Sequence, residues 1–478
     1  MGNSTRKFKV LQAVSEVVPF IATGGMGQVA GALAKALASG NEDLEVRVVA
    51  PLYGSFREKY EQYMSFLGET EVQLAWRTEY CGIFELVYND ITFYFVDNRR
   101  YFDRERAYGY YDDGERFAFF CKAVFEVIGT SGFVPDIIHS HDWQTSLIPI
   151  YLKTHFSGRY PDMRSVFTIH NVEYQGKYPS DILFDVFDMW EGARSLVEFD
   201  GCINLMKGAV VSCDKLTTVS PSYALEIQSG GGYGLDPIIS ENAYKLSGIV
   251  NGIDTELYDP AMDTLLCKNY TAETLDDKAY NKRDVQTLFH LPVAPRKMLI
   301  CIVSRLVSHK GIDLVTCLMD DLLKMDVQFL LLGTGDHDYE LYFEEKAVVH
   351  PDKVAVSIAF NPNIAGKIYA GADVILMPSR SEPCGLAQMI ACRYGTIPIV
   401  RATGGLKDTI RDCRLGSGNG FTFEDYTSAA LLETIRQAHD LYTYREPDWK
   451  NLMRESMAYD FGWNVSAQEY ANLYRGLL

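Results

Sequence analysis

Asp373-Val374-Ile375-Leu376-Met377-Pro378-Ser379-Arg380-Ser381-Glu382-Pro383-Cys384-Gly385-Leu386 opens as an apolar run, turns through proline and glycine, and passes into a helical pattern over residues 387–394. A short run that is apolar on both faces predicts a strand covered by helices on both sides. Strand, turn and helix in alternation predict a parallel sheet. Working outward, residues 298–303, 329–332, 354–358 and 397–400 have the same character and predict one open sheet with 374–377. Residues 10–14, 46–51, 91–96, 137–139, 166–169 and 216–219 predict another. The fold class is α/β, with two Rossmann-like doubly wound domains facing each other across a cleft and ligands bound outside the carboxyl ends of the strands. The expected division is 1–245 and 246–460, with Leu246-Ser247-Gly248-Ile249-Val250-Asn251-Gly252-Ile253-Asp254 opening the second part.

Composition narrows the function. A chain of 478 residues exceeds what one hydrophobic core serves. With 47% hydrophobic and 23% charged residues it is a folded globular protein. A net charge of −18 argues against a nucleic-acid partner, because phosphate backbones demand a basic face. It leaves room for an anionic small ligand held by a few converging cations. Ten cysteines, scattered with no C-x-x-C pair or metal-ligand spacing, predict reduced thiols, a cytoplasmic setting and no metal. Neither a signal-peptide core nor a window of about 18 apolar residues occurs, so no membrane partner is expected.

Chemistry concentrates at strand ends. The turn after 374–377 starts a helix, and the N–H groups of Cys384, Gly385 and Leu386 there make an anion site. Glu382 lies at its lip. A carboxylate repels phosphate, so its partner is a hydroxylated neutral group such as a sugar; a helix-end carboxylate favoured by the dipole is the other reading. Arg305 and Lys310 follow strand 298–303 and suit a diphosphate leaving group, whose developing charge cations stabilise. Two isolated cations are otherwise ordinary surface residues. Thr23-Gly24-Gly25-Met26-Gly27 permits close backbone approach to a ligand. His170 and His141-Asp142-Trp143 end two further strands, where a histidine also serves as a hydrogen-bonded structural residue.

Together these stretches resemble one family over nearly the whole chain, the glycogen and starch synthases, retaining glycosyltransferases of the GT-B architecture. The resemblance rests on Ser15-Glu16 with Thr23-Gly24-Gly25, His141-Asp142-Trp143, Thr168-Ile169-His170-Asn171, Tyr233-Gly234-Leu235, Asn251-Gly252-Ile253-Asp254, Ser304-Arg305 with Lys310-Gly311, Glu382-Pro383-Cys384-Gly385-Leu386 and Thr403-Gly404-Gly405-Leu406. It implies transfer of glucose, with retention, from ADP-glucose or UDP-glucose to the 4-hydroxyl at the non-reducing end of an α-1,4-glucan, ADP-glucose being the favoured donor. No cofactor and no metal are implied. By the same resemblance Arg305 and Lys310 grip the diphosphate, helped by the N–H groups of Cys384, Gly385 and Leu386, and Glu382 binds glucose hydroxyls. His170 hydrogen-bonds the sugar near its 6-hydroxyl and brings its carbonyl close to the anomeric carbon. Glu16, Thr23, Gly24, Gly25, Asp142, Trp143, Asn251 and Thr403 line the substrate site, and Phe360 stacks on the base. Residues 461–478 form a terminal helix that crosses back to the first domain.

Three positions depart from the family pattern. Ala22 stands where a lysine is common, Gln28 where an acidic residue is, and Ala387 where threonine or asparagine is. A second reading follows from them: a glucan-binding or regulatory paralogue with weakened catalysis. Retention of His170, Arg305, Lys310 and Glu382 favours an active synthase. A nucleotide-sugar epimerase of the same architecture is disfavoured by Thr403-Gly404-Gly405-Leu406 and the segment around Glu382.

Overall fold

A computed structural model describes residues 7–359 and 361–478. The chain forms two compact units, one from residues up to Gly252 together with Trp463–Leu478, the other from Ile253–Gly462.

The first unit is built on a nine-stranded sheet. In spatial order its strands are Leu246–Gly248, Lys215–Thr218, Arg164–Ile169, Ile137–His141, Phe8–Ala13, Leu44–Pro51, Ile91–Asp97, Arg77–Tyr88 and Ser65–Leu74. The first seven are parallel, with Val10 opposite both Val46 and Ile137. Val10, Leu11, Ile137, Ile138 and Val166 are fully buried, as strands covered on both faces require. The chain starts in the middle, winds out one way and then the other, so the strand order reverses between Phe8–Ala13 and Ile137–His141.

Two features differ from the sequence expectation. Ser65–Leu74 and Arg77–Tyr88 form an antiparallel hairpin that extends the sheet through Ile91–Asp97, so the sheet is mixed. Leu246–Gly248, expected to open the second domain, pairs in parallel with Lys215–Thr218 and belongs to the first unit. Its few residues satisfy their backbone groups on an edge already formed. A small three-stranded sheet, Lys177–Tyr178, Glu198–Phe199 and Cys202–Asn204, lies apart from the main one.

Two helices pack together in this unit. Gly25–Gly40 buries Met26, Val29, Ala30, Leu33, Ala34 and Leu37, a helical stripe that leaves Gln28 exposed. The terminal helix Trp463–Arg475 packs against it through Ala467, Tyr470, Ala471 and Tyr474. Arg475 fastens its end by a bidentate pair with Asp43, Nε to Oδ2 at 2.9 Å and an η nitrogen to Oδ1 at 2.8 Å.

The second unit carries a six-stranded parallel sheet in the order Val354–Ser357, Val327–Leu332, Met298–Val303, Val374–Met377, Ile397–Arg401 and Phe421–Phe423. The last, edge strand adds three residues beyond the expected set. Leu299, Ile300, Phe329, Leu330 and Ile375 are wholly buried at its centre. Asp373 anchors the central pair: its Oδ2 accepts the Leu299 N–H at 2.7 Å and pairs with Lys282 Nζ at 2.6 Å. Here the order reverses between Met298–Val303 and Val374–Met377. Among the described residues no helix is long and apolar enough to cross a membrane.

Candidate active site

In an open α/β sheet, ligands gather at the carboxyl ends of the strands where the order reverses. Each unit places expected site residues at that point of its own sheet.

In the second unit, Met298–Val303 runs into Ser304 and Arg305, then into the turn of 3₁₀ helix Ser308–Lys310. Gly311 ends the turn with φ +73°, and a β-carbon there would lie 2.1 Å from the Pro378 carbonyl, so only glycine lets the two loops touch. That contact is sealed by the Arg380 N–H donating to the His309 carbonyl at 2.8 Å. Lys310 is thereby aimed at Glu382: Nζ donates to Oε1 at 2.8 Å and to Oε2 at 2.7 Å. Ser379 Oγ donates to Oε2 at 2.9 Å, and the Glu382 carbonyl accepts the Gly405 N–H at 3.0 Å. Glu382 is 5% exposed and held by a cation, a hydroxyl and the backbone. Arg305 is exposed and makes no ion pair among the described residues.

Cys384 and Thr403 are buried beside this turn. Leu386 caps the helix Ala387–Arg393, and its carbonyl accepts the Ile390 N–H at 2.9 Å. Gln388, which sequence reading passed over, reaches back to the carbonyls of Cys384 and Gly385, both at 3.0 Å, and fixes the turn. Ala387 opens the same helix and is partly exposed. Phe360 lies outside the described residues.

In the first unit, Ile137–His141 ends at Asp142, whose φ of +58° is unusual for a side-chain-bearing residue. Its conformation is held from two sides. The Asp142 N–H donates to the Thr168 carbonyl at 2.9 Å, and its Oδ1 accepts the N–H groups of His170 at 2.7 Å and Asn171 at 3.4 Å. Asp142 therefore orients the backbone of His170. Burial raises its carboxyl to about 7, against the lowering effect of those N–H groups, with the nearby Glu16 charge adding to the rise.

His170 Nε2 lies 3.0 Å from His141 Nδ1. Behind it the His139 ring stands 4.1 Å from that of His141, tied to Tyr474 Oη at 2.7 Å and Thr168 Oγ1 at 2.6 Å. Burial lowers His139 and His170 to about 3 and His141 well below its ordinary value, so the three rings are neutral at neutral pH.

Glu16 and Thr23, both expected at the substrate, are spent on each other. Glu16 Oε2 accepts the Thr23 N–H and, at 2.8 Å, its Oγ1. Burial raises the Glu16 carboxyl, opposed by those bonds and by the Gly27 N–H. The pairing braces the loop that presents Ala22, Gly24 and Gly25 as exposed backbone ahead of Gly25–Gly40. Trp143 is partly exposed and meets Phe117 edge-on, with ring centres 5.3 Å apart. Asn251 is 5% exposed, and its Oδ1 takes no hydrogen bond among the described residues.

Sequence reading found the strand-end residues and weighed a structural role for His141, but gave no role to Ser379, Gln388 or His139. Ser379 precedes Glu382 by one turn's length, a signal that was available. The contacts among His139, His141 and His170 have no signal until the strands are placed side by side. Among the described residues no group of three or more His, Cys, Asp or Glu side chains is arranged to hold a metal ion.

The family profile of the starch synthase catalytic domain matches residues 9–241, and that of glycosyl transferases group 1 matches residues 288–448. The chain is 44% identical over 477 residues to the glycogen synthase of Anoxybacillus flavithermus, covering 98% of each chain. It is 45% identical over 477 residues to that of Desulforamulus reducens, covering 98% of this chain and 99% of the relative. The catalytic domain of starch synthase IV from Arabidopsis thaliana, solved bound to ADP and acarbose, superposes with a TM-score of 0.91 at 31% identity, covering 99% of both chains. Sucrose-phosphate synthase from Thermosynechococcus elongatus shares the fold alone, with a TM-score of 0.62 at 17% identity over 98% of this chain and 99% of the other. With relatives of this identity over essentially its full length, the chain belongs to the glycogen and starch synthases, glycosyltransferases of the GT-B fold.

Proposed function

We propose that this glucan synthase uses ADP-glucose as its donor and the 4-hydroxyl at the non-reducing end of an α-1,4-glucan as its acceptor. The observation that carries the reading is the Lys310–Glu382–Ser379 cluster at the strand-order reversal of the second unit. It sets a cation and a fixed acceptor carboxylate side by side, as a phosphorylated sugar requires.

Two of the Lys310 ammonium hydrogens serve Glu382, which leaves a third donor for the diphosphate. Arg305 supplies the second cation, a planar fork suited to phosphate oxygens. Together they stabilise the charge that builds on the departing ADP. The Glu382 carboxylate, oriented by Lys310 and Ser379, accepts hydroxyl hydrogens of the transferred glucose. His170 contacts the sugar near its 6-hydroxyl, with its main chain steadied by Asp142 so that its carbonyl addresses the anomeric carbon. The acceptor hydroxyl attacks from the face that the diphosphate leaves, so configuration is retained. That the starch synthase IV structure was obtained with ADP and acarbose supports both the adenine nucleotide and a glucan-like acceptor.

The test offers purified protein a glycogen primer with ADP-glucose or UDP-glucose in separate assays. Glucose incorporation is expected to be faster from ADP-glucose. Faster transfer from UDP-glucose would overturn the donor assignment.

A further inference from the structure

His141 is wholly buried and forms one side-chain hydrogen bond, through Nδ1, to Nε2 of His170 at 3.0 Å. Its other ring nitrogen, Nε2, is buried and has no partner among the described residues. A neutral imidazole carries one proton, on either nitrogen. Between these two rings there is room for a single hydrogen, and two arrangements are possible. If His170 held it on Nε2, His141 would carry its proton on its own Nε2, an N–H buried with nothing to accept it. If His141 holds it on Nδ1, the buried Nε2 is a bare lone pair. Orphaned buried N–H groups are the rarer and more costly of the two. We propose that His141 is a positioning residue that donates to His170 and so fixes the His170 proton on Nδ1, turning that residue into a hydrogen-bond donor towards the sugar.

The surroundings hold the donor in place. The His139 ring, 4.1 Å away and tied at both nitrogens, packs against the His141 ring and restricts its rotation. The His141 main chain is locked as well, its N–H donating to Thr145 Oγ1 at 2.6 Å and its carbonyl accepting from the same hydroxyl at 2.8 Å. His170 is only partly buried, and Nδ1 makes no hydrogen bond within the described residues. Burial keeps both rings neutral, which the single shared hydrogen requires. The inference deepens the proposed function, since it rests on His170 meeting the sugar near its 6-oxygen: that oxygen accepts from His170, and the 6-hydroxyl keeps its own hydrogen for another partner. His141 thus selects for a 6-oxygenated sugar without touching it.

Two measurements test this. Nitrogen-15 NMR of protein labelled at its nine histidines reads the tautomers directly, with His141→Asn and His170→Asn spectra assigning the resonances. The expected spectrum has His170 protonated at Nδ1 and bare at Nε2; a proton on His170 Nε2 overturns the proposal. The second compares kcat/KM for ADP-glucose and ADP-6-deoxyglucose. One neutral hydrogen bond corresponds to a wild-type preference of roughly 2- to 12-fold for the 6-hydroxylated donor. His141→Leu removes the donor to His170 and should erase that preference, while His141→Asn, whose amide N–H replaces the Nδ1 hydrogen, should restore most of it. An undiminished preference in His141→Leu overturns the positioning role. Equal use of both donors by the wild type, with the expected NMR spectrum, overturns the proposed contact of His170 with the 6-oxygen and leaves the tautomer assignment standing.

Discussion

Lys310 and Glu382 are each legible in the sequence as strand-end residues of the right chemistry, but their bond is not. They lie 72 positions apart, and only the adjacency of Met298–Val303 and Val374–Met377 brings them together. The pairing changes what a substitution does. Taken as a helix-end carboxylate, Glu382 would contribute about 0.3–1 kcal/mol. As half of an ion pair whose side chains are 18% and 6% exposed, it leaves an unpaired buried charge when its partner is removed, at a cost of about 3–5 kcal/mol. Lys310→Met and Glu382→Gln should therefore each lower stability in urea unfolding. The double variant should be more stable than the sum of the two losses by at least about 1 kcal/mol, yet stay as inactive as either single variant. Additive losses would show that the pair is not coupled; near-normal turnover in a single variant would remove that residue from catalysis, and in the double variant both. Asp142 permits a second residue-scale test, by pH. Its pKa is raised from 3.8 to about 7, so between those values the folded protein binds more protons than the unfolded chain. Its contribution to stability is present at low pH and is lost as pH rises through that window. Asp142→Asn keeps an oxygen for the His170 N–H without the charge. Relative to wild type it should gain stability at up to about 1.4 kcal/mol per pH unit until about pH 7, then level off. The buried histidines act in the opposite sense below their ordinary pKa of 6.5, but they are common to both proteins and cancel in the difference. A difference independent of pH would contradict the burial of this charge.

Elements were legible where one interaction decides them. The central strands of the second unit bury both faces, so Met298–Val303 and Val374–Met377 read as unbroken apolar runs whatever their neighbours. Ser65–Leu74 and Arg77–Tyr88 escape that rule because one or both faces meet water and charged residues interrupt the run, as Glu69, Glu71 and Glu79 do. Phe421–Phe423 and Leu246–Gly248 escape it by brevity, since three residues carry no period. The loop before Gly25–Gly40 is legible as glycine-rich, but its bracing by Glu16 and Thr23 is not, because it depends on a side chain folding back over seven positions. That bracing bears on Ala22, where the family commonly carries lysine. Ala22 is exposed, and its β-carbon lies 3.0 Å from where one on Gly27 would sit, so the loop is tight but open to solvent on the Ala22 side. On the proposed function, Ala22→Lys adds one charge-assisted contact to the donor phosphates, about 1.5–3 kcal/mol. The donor KM should fall about tenfold with a smaller change in kcat. An unchanged or raised KM would mean that the loop does not meet the phosphates.

The whole chain has a topology that its linear order conceals. The sequence is read as one domain, then another, then a terminal helix that crosses back to the first; in space the second unit is an insertion into the first. The chain leaves the first unit at Gly252 and rejoins it at Trp463. A β-carbon on Gly252 would lie 2.8 Å from the Trp463 backbone, so the two ends of the first unit all but touch at a residue that can be nothing larger than glycine. The Ser466 hydroxyl donates to the Val250 carbonyl at 2.5 Å and ties them again. The ends of the inserted unit are joined as well, by the Ile253 N–H donating to the Phe461 carbonyl at 2.8 Å and by a parallel bridge between Ile253 and Gly462. An insertion whose ends meet can be cut out without stretching either part, and a unit with its own sheet and core can fold alone. Residues 253–462 expressed by themselves should unfold in one cooperative transition by circular dichroism. The first unit, with Gly252 joined to Trp463 through a short glycine-rich linker, should do the same and keep the Tyr474–His139 bond that ties the terminal helix to the strand end. Simple truncation at Gly462 should instead destabilise the first unit severely, because it strips away Tyr470, Ala471 and Tyr474 and exposes the buried stripe of Gly25–Gly40. If the excised 253–462 segment gave a broad, non-cooperative melt while the resealed first unit folded, the inserted unit would owe its order to the protein around it rather than to its own core.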